Sequence, residues 1–249
     1  MRLLAGERRQ DSGDLRAQWA VLWSTPVVAL VLGVLFVAFP GFFPPMSPSM
    51  TAEQVARFYQ DNTAPTRFSM VGFNLCGILI VPFFVLIMAQ MARMRGQSRI
   101  FAFSYLSGVV AGATLFAVSD ILFAVAAFRP DRDPQIVQAL NDLAWILFIA
   151  PIGMLVAQFA LLAAAVYFDD RDSPVFPRWV APFSILTGSA MVPSAGAAVF
   201  REGPLAWDGF VSFWLRNGAF ALFVAVMFFV VRGALARQAR DEFDRRETR

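Results

Sequence analysis

Six apolar runs, at residues 19–39, 68–91, 101–128, 143–168, 179–200 and 210–234, each match the roughly 20 residues that a helix needs to cross the hydrocarbon of a bilayer. Hydrocarbon offers no water to unpaired backbone groups, so every run is expected to be helical. The fold class that follows is all-α: a polytopic membrane protein built as a six-transmembrane-helix bundle. Composition agrees, with 58% hydrophobic and 16% charged residues and a mean hydropathy of +0.59. The transmembrane domain is expected over residues 19–236, between an N-terminal tail (1–18) and a C-terminal tail (237–249). The first run is longer than a signal-peptide core and ends without a small-x-small cleavage site, so it reads as an uncleaved anchor.

Six crossings place both tails on one side. Fifteen of the 21 arginines lie in the tails and in the second-to-third and fourth-to-fifth loops. Five lie in the opposite loops (Arg57, Arg67, Arg129, Arg132 and Arg201), and Arg216 lies inside the sixth run. That bias puts both termini in the cytoplasm. The pI near 9.7 does not imply nucleic acid, because the arginines sit at helix ends rather than along a stripe interleaved with exposed aromatics.

The chain has no His and no Lys, and a single cysteine, Cys76. These absences remove His-ligated haem, imidazole metal sites, the Ser-His-Asp triad, retinal and pyridoxal Schiff bases and iron-sulfur clusters, so no cofactor and no metal site is expected. Cys76 reads as a small buried hydrophobe. The acidic residues Asp169, Asp170 and Asp172 read as a solvated connector, too poor in ligands for a metal.

Short extracytoplasmic helices are expected in the first-to-second and third-to-fourth loops. In loop 40–67, Ser49 or Thr51 caps a helix and Glu53 or Gln54 completes a capping box, with Val55, Phe58 and Tyr59 on one face. In loop 129–142, Asp133 followed by Pro134 reads as an N-cap with proline at the first helical position. Prolines 26, 82, 151, 182 and 193 fall inside the spans, where each removes a backbone hydrogen bond and makes a bend or a cavity easier to form.

An ionised group in hydrocarbon costs several kcal/mol unless paired or hydrated, so Asp120 and Arg216, each about 12 Å inside its helix, require a reason. The same outer half receives Asn74, Asn141, Asp142, Ser194, Asn217, Trp207 and Trp214, whereas the inner half offers mainly Gln90, Gln158 and a few hydroxyls. A ligand pocket opening outward or into the outer leaflet is expected from these nine outer residues. The competing reading is structural: Asp120 pairs with Arg216, and the amides act as interhelical glue contributing about 0.6 kcal/mol each. Tyr59, Trp145, Trp207 and Trp214 read first as an interfacial aromatic belt. The small residues Gly108, Ala111 and Gly112 and the segment 188–198 allow close helix approach, within the chain or in a homo-oligomer.

Ala-Phe-Arg-Pro (127–130), Leu-Asn-Asp-Leu-Ala-Trp (140–145), Phe-Pro-Arg-Trp (176–179) and Gly-Pro-Leu-Ala-Trp-Asp-Gly (203–209) stand at helix ends. With these motifs the chain resembles a family of six-helix, multi-pass bacterial inner-membrane proteins to which no activity is assigned. The resemblance implies topology and a place in the bacterial cytoplasmic membrane, with both termini inside, and no catalytic residue. The expected function is a binding or accessory membrane protein, in contact with membrane lipids. It either holds a lipid-like or small hydrophobic molecule or packs as a subunit on a membrane-protein partner. The alternatives are an intramembrane enzyme using Asp120 and Arg216 and a gradient-driven transporter.

Overall fold

The computed structural model describes residues 2–96, 98–129 and 131–247, with side chains over 14–244 apart from the same two positions. The side chains of Arg2, Arg8, Arg9, Arg245, Arg246 and Arg249, which enter the charge bias, lie outside the described residues, as does Pro130. Among the described residues the chain is all helical, and no strand forms. The helices are α1 (Arg2–Ala38), α2 (Ala52–Asp61), α3 (Thr63–Cys76), α4 (Val81–Met91), α5 (Arg99–Ala126), α6 (Pro134–Ile149), α7 (Gly153–Tyr167), α8 (Val180–Met191) and α9 (Arg216–Glu247).

Five helical stretches are long and apolar enough to cross a membrane: Asp14–Ala38, Thr63–Met91, Arg99–Ala126, Pro134–Tyr167 and Phe210–Asp244. The fifth apolar run, expected as one helix over 179–200, is instead the 12-residue α8 followed by a 3-10 segment, Val192–Ala198. Pro193 opens that segment, since it has no N–H to give to the preceding turn. Proline also divides two of the long stretches. The ring of Pro82 displaces the carbonyl four residues back, at Ile78, and the chain tightens to a 3-10 turn over Gly77–Ile80 between α3 and α4. Pro151 likewise separates α6 from α7. Pro182 falls in the first turn of α8, where no bond is lost, and Pro26 stays within α1.

Local capping follows the residue types. Thr51 and Gln54 form a reciprocal capping box at α2, and Asp133 caps α6 with Pro134 at its first position. Among the described residues no separate helix lies between α5 and α6; residues 134–142 are the opening turns of α6 itself.

The packing is a closed ring of chain neighbours. α1 packs on α3 and α4, these on α5, α5 on α6 and α7, α7 on α8, α8 on α9, and α9 back on α1. Gly108 makes the α5–α7 approach possible, since a Cβ there would stand 3.0 Å from the Met154 carbonyl oxygen. Gln18 of α1 and Gln238 of α9 meet at one end of the ring, here called the tail end, where Gln90 donates to Gln18 (2.8 Å) and Gln238 (3.3 Å).

Two cores result. One, at the tail end, joins α4, α7, α8 and α9 around Phe83, Ile87, Phe159, Phe223 and Met227. The other, at the far end, is an aromatic cluster around Phe42, Phe123, Trp145, Phe148 and Phe213. Tyr59, Trp145 and Trp207 belong to this second core and are buried, not placed as a belt: their rings are absorbed by aromatic neighbours, and the Trp207 indole N–H is satisfied by the Met46 carbonyl at 2.7 Å. Trp214 remains 41% exposed. Large apolar side chains outside the cavity are also exposed, among them Val27, Leu30, Leu186 and Leu222.

Candidate functional site

Between the two cores the ring leaves a cavity of about 810 Å³ that is partly open to the outside. Small residues leave the room: Ala29 and Gly33 on α1, Gly112 and Ala113 on α5, and Ala221 and Ala225 on α9 all line it. A Cβ added at Gly33 would meet nothing within 4 Å. The helix breaks open it further, because Gly77, Ile78 and Ile80 of the 3-10 turn and Pro151 between α6 and α7 are part of its wall. Most of the remaining wall is apolar, with Phe36, Phe73, Phe116 and Phe148 toward the far end and Phe84, Met154, Val224 and Phe228 toward the tail end.

Five polar side chains interrupt that wall: Thr25, Asn74, Gln158, Arg216 and Asn217. Thr25 returns its hydroxyl proton to the Val21 carbonyl, and Gln158 donates to the Tyr105 hydroxyl at 3.3 Å. Arg216 is placed by the start of α9, which follows a π-helical turn over Phe210–Leu215. Its Nη1 donates to Asn217 Oδ1 at 3.0 Å and its Nη2 to the Phe148 carbonyl at 2.8 Å, with the guanidinium carbon 5.2 Å from the Phe148 ring centre. Two of its five N–H bonds are thus used, and among the described residues no carboxylate lies within 4.0 Å of it.

Of the nine residues singled out from the sequence, the cavity brings together Asn74, Arg216 and Asn217. Asp120 stands apart. The α5 lining ends at Ala117, and Asp120, one turn beyond Phe116, is 3% exposed in the aromatic core, its Oδ2 without a hydrogen-bond partner. Asp120 and Arg216 do not form an ion pair. Asn141 accepts from the Tyr59 hydroxyl at 2.8 Å and donates to Asp142, tying α2 to α6. Burial, and then the Asp142 carboxylate, holds the Tyr59 phenol well above its usual pKa, so it remains a donor. Ser194 bonds within its own turn to the Met191 carbonyl, and Trp207 serves the far-end core. Trp214 meets Phe213 edge to face and Phe43 at a tilt, at the periphery.

Gln158, Thr25 and the glycine and alanine positions were not visible as site residues in the sequence. Their nearest signal was small residues four apart, Ala29 with Gly33 and Ala221 with Ala225, on helices that also carry apolar neighbours on every side.

A second cleft, of about 740 Å³, lies at the tail end and is lined by five arginines and four aspartates, so both signs of charge meet there. Beside it Asp169, expected in a solvated connector, is buried and accepts the backbone N–H groups of Arg95 (3.1 Å) and Val175 (2.9 Å). It joins two loops and is structural.

No protein-family model matches the chain, and no curated protein and no solved structure matches it either.

Proposed function

We propose that this protein is a membrane-embedded binding protein that holds a hydrophobic, lipid-like molecule in the central cavity. The observation that carries the reading is the cavity itself. Its volume of about 810 Å³ lies within the roughly 300–1,000 Å³ of small-molecule pockets, and its wall is mostly apolar with a few convergent polar groups. A bundle selected only for packing would bring small residues such as Gly33 and Ala225 against a neighbouring backbone, as Gly108 is; at the cavity they leave space instead. Catalysis shared between Asp120 and Arg216 has less support, because Asp120 is not in the cavity wall.

The same reading takes α8 with its 3-10 extension as the sixth crossing. Gln18 on the first helix and Gln238 on the last lie at the same end of the ring, which an even number of crossings produces and an odd number does not. The arginine bias favours the cytoplasmic side for that end, and in a bacterial inner membrane so oriented Arg216 would sit at outer-leaflet depth.

Native mass spectrometry of the protein released gently from its own membrane tests the function. A defined small hydrophobic molecule retained at fixed stoichiometry is the expected result. A bare chain in every mild detergent overturns the reading, and a reproducible partner chain without a small molecule would make the protein an accessory subunit.

A further inference from the structure

The cavity has a direction. Arg216, Asn217 and Asn74 stand at its far end with Phe36 and Phe148, while Thr25, Phe84 and Phe228 close it toward the tail end. Along α9, the 12 residues from Arg216 to Phe228 correspond to about 18 Å.

Charge is distributed as unevenly as shape. The guanidinium of Arg216 is the charged group in the wall, it has no carboxylate partner among the described residues, and its Nε–H is buried without an acceptor. Asn217 repeats the pattern: its oxygen is turned to Arg216, and its Nδ2 donors have no acceptor. A cation beside apolar walls is costly without an anion; the Nε and Nδ2 atoms are sealed from the cavity, so an acid would meet the guanidinium through its two Nη atoms, each with one N–H bond left to give. The chemistry missing from the wall is an acid.

The volume suits a long chain on that acid. A methylene occupies about as much room as a water molecule, about 30 Å³, so about 810 Å³ accommodates roughly 27 such groups, and one chain of sixteen or eighteen carbons with a compact head fits.

Building on the cavity-binding reading above, we infer that the ligand is a single-chain acidic amphiphile. Its carboxylate or phosphate head sits on the Nη atoms of Arg216, and its alkyl chain runs between α1 and α9 toward Thr25 and Phe228. Arg216 is then a counter-ion that selects the head, and the glycine and alanine positions form the slot that accepts the tail.

The test measures binding of palmitate, hexadecyl phosphate and hexadecanol to the detergent-purified full-length protein, alongside Arg216→Gln, Arg216→Lys and Gly33→Trp. Wild type is expected to prefer the acids over the alcohol by about tenfold or more, the scale of a charge-assisted hydrogen bond. The tighter of the two acids then identifies the head as a carboxylate or a phosphate. Arg216→Gln is expected to remove that preference, Arg216→Lys to retain most of it, and Gly33→Trp to abolish binding of all three. Equal binding of acid and alcohol by wild type, lost in Gly33→Trp, overturns the acidic ligand while leaving the cavity reading intact. Failure of all three probes to bind, with no change in Gly33→Trp, overturns both. The wild-type comparison needs no variant to fold, so a misfolded Arg216→Gln leaves the inference decidable.

Discussion

Arg216 is held by Phe148 at two points at once: its Nη2 donates to the Phe148 carbonyl at 2.8 Å, and its guanidinium lies 5.2 Å from the centre of the same residue's ring. The carbonyl is available because Pro151 and Ile152 have no ordinary helical bonds to offer where α6 gives way to α7, and Ile152 turns instead to the Ala150 carbonyl at 2.7 Å. A helix break therefore helps to position the one charged side chain in the cavity wall.

Phe148→Leu keeps the backbone carbonyl and most of the apolar bulk but removes the ring. The lost cation–π contact, worth about 0.5–2 kcal/mol, adds to lost contacts with Phe42 and Phe116. We expect a lower unfolding temperature by thermal-shift measurement in detergent; an unchanged temperature would show that the ring does not support Arg216.

Two glycines should respond in opposite ways to the same replacement. Gly33→Leu projects into the cavity, where a Cβ meets nothing within 4 Å, and gains helix propensity of about 1 kcal/mol. Gly108→Leu drives a side chain toward the Met154 carbonyl, 3.0 Å from its Cβ, and overpacking of this kind costs about 1–3 kcal/mol. Stability of the two variants, compared by thermal unfolding, should therefore rise or hold for the first and fall for the second.

Asp169→Ala leaves the Arg95 and Val175 amides without their acceptor. Each unsatisfied buried group costs about 1–3 kcal/mol, so the loss should be several-fold larger than for Asp172→Ala on the exposed part of the same loop. Hydrogen exchange should show faster opening of both loops; equal behaviour of the two variants would remove the structural role of Asp169.

Asp120 has a buried carboxylate oxygen without a hydrogen-bond partner, an arrangement that costs stability. Asp120→Asn preserves its shape and removes the ionisable group. Unfolding temperature is expected to hold or rise, and palmitate binding to stay within about twofold of wild type, because the residue is outside the cavity wall. A large loss of binding would place Asp120 in the site after all.

Membrane sidedness is open to cysteine labelling in a Cys76→Ser background. Single cysteines at Ser47 and Glu202, far-end loop positions, should react with an impermeant maleimide added outside spheroplasts, and those at Arg171 and Arg240 should not. The reverse pattern would invert the orientation proposed for the cavity.

Much of the helix inventory could be read from the residues alone, because hydrophobicity and capping act over a few positions. The Thr51–Gln54 box, the Asp133–Pro134 start of α6 and the apolar stretches fall where local chemistry puts them. The segment after Pro193 is less legible, since whether a chain of small residues continues as α-helix or tightens to 3-10 depends on what packs around it. The placement of the aromatic rings depends on packing in the same way. Tyr59, Trp145 and Trp207 near helix ends look alike in sequence whether they face headgroups or one another, and here they face one another.

What the sequence determined by itself is a set of long apolar helices, their polar punctuation and an uneven arginine distribution, all properties of single segments. Only the tertiary structure decided which polar groups share a space. Asp120 and Arg216 lie at similar depth in their helices, yet depth fixes neither the rotation of a helix about its axis nor the bends that Pro82 and Pro151 introduce. Those depend on how the ring closes, and its closure leaves Asp120 sealed in the aromatic core and Arg216 at the cavity.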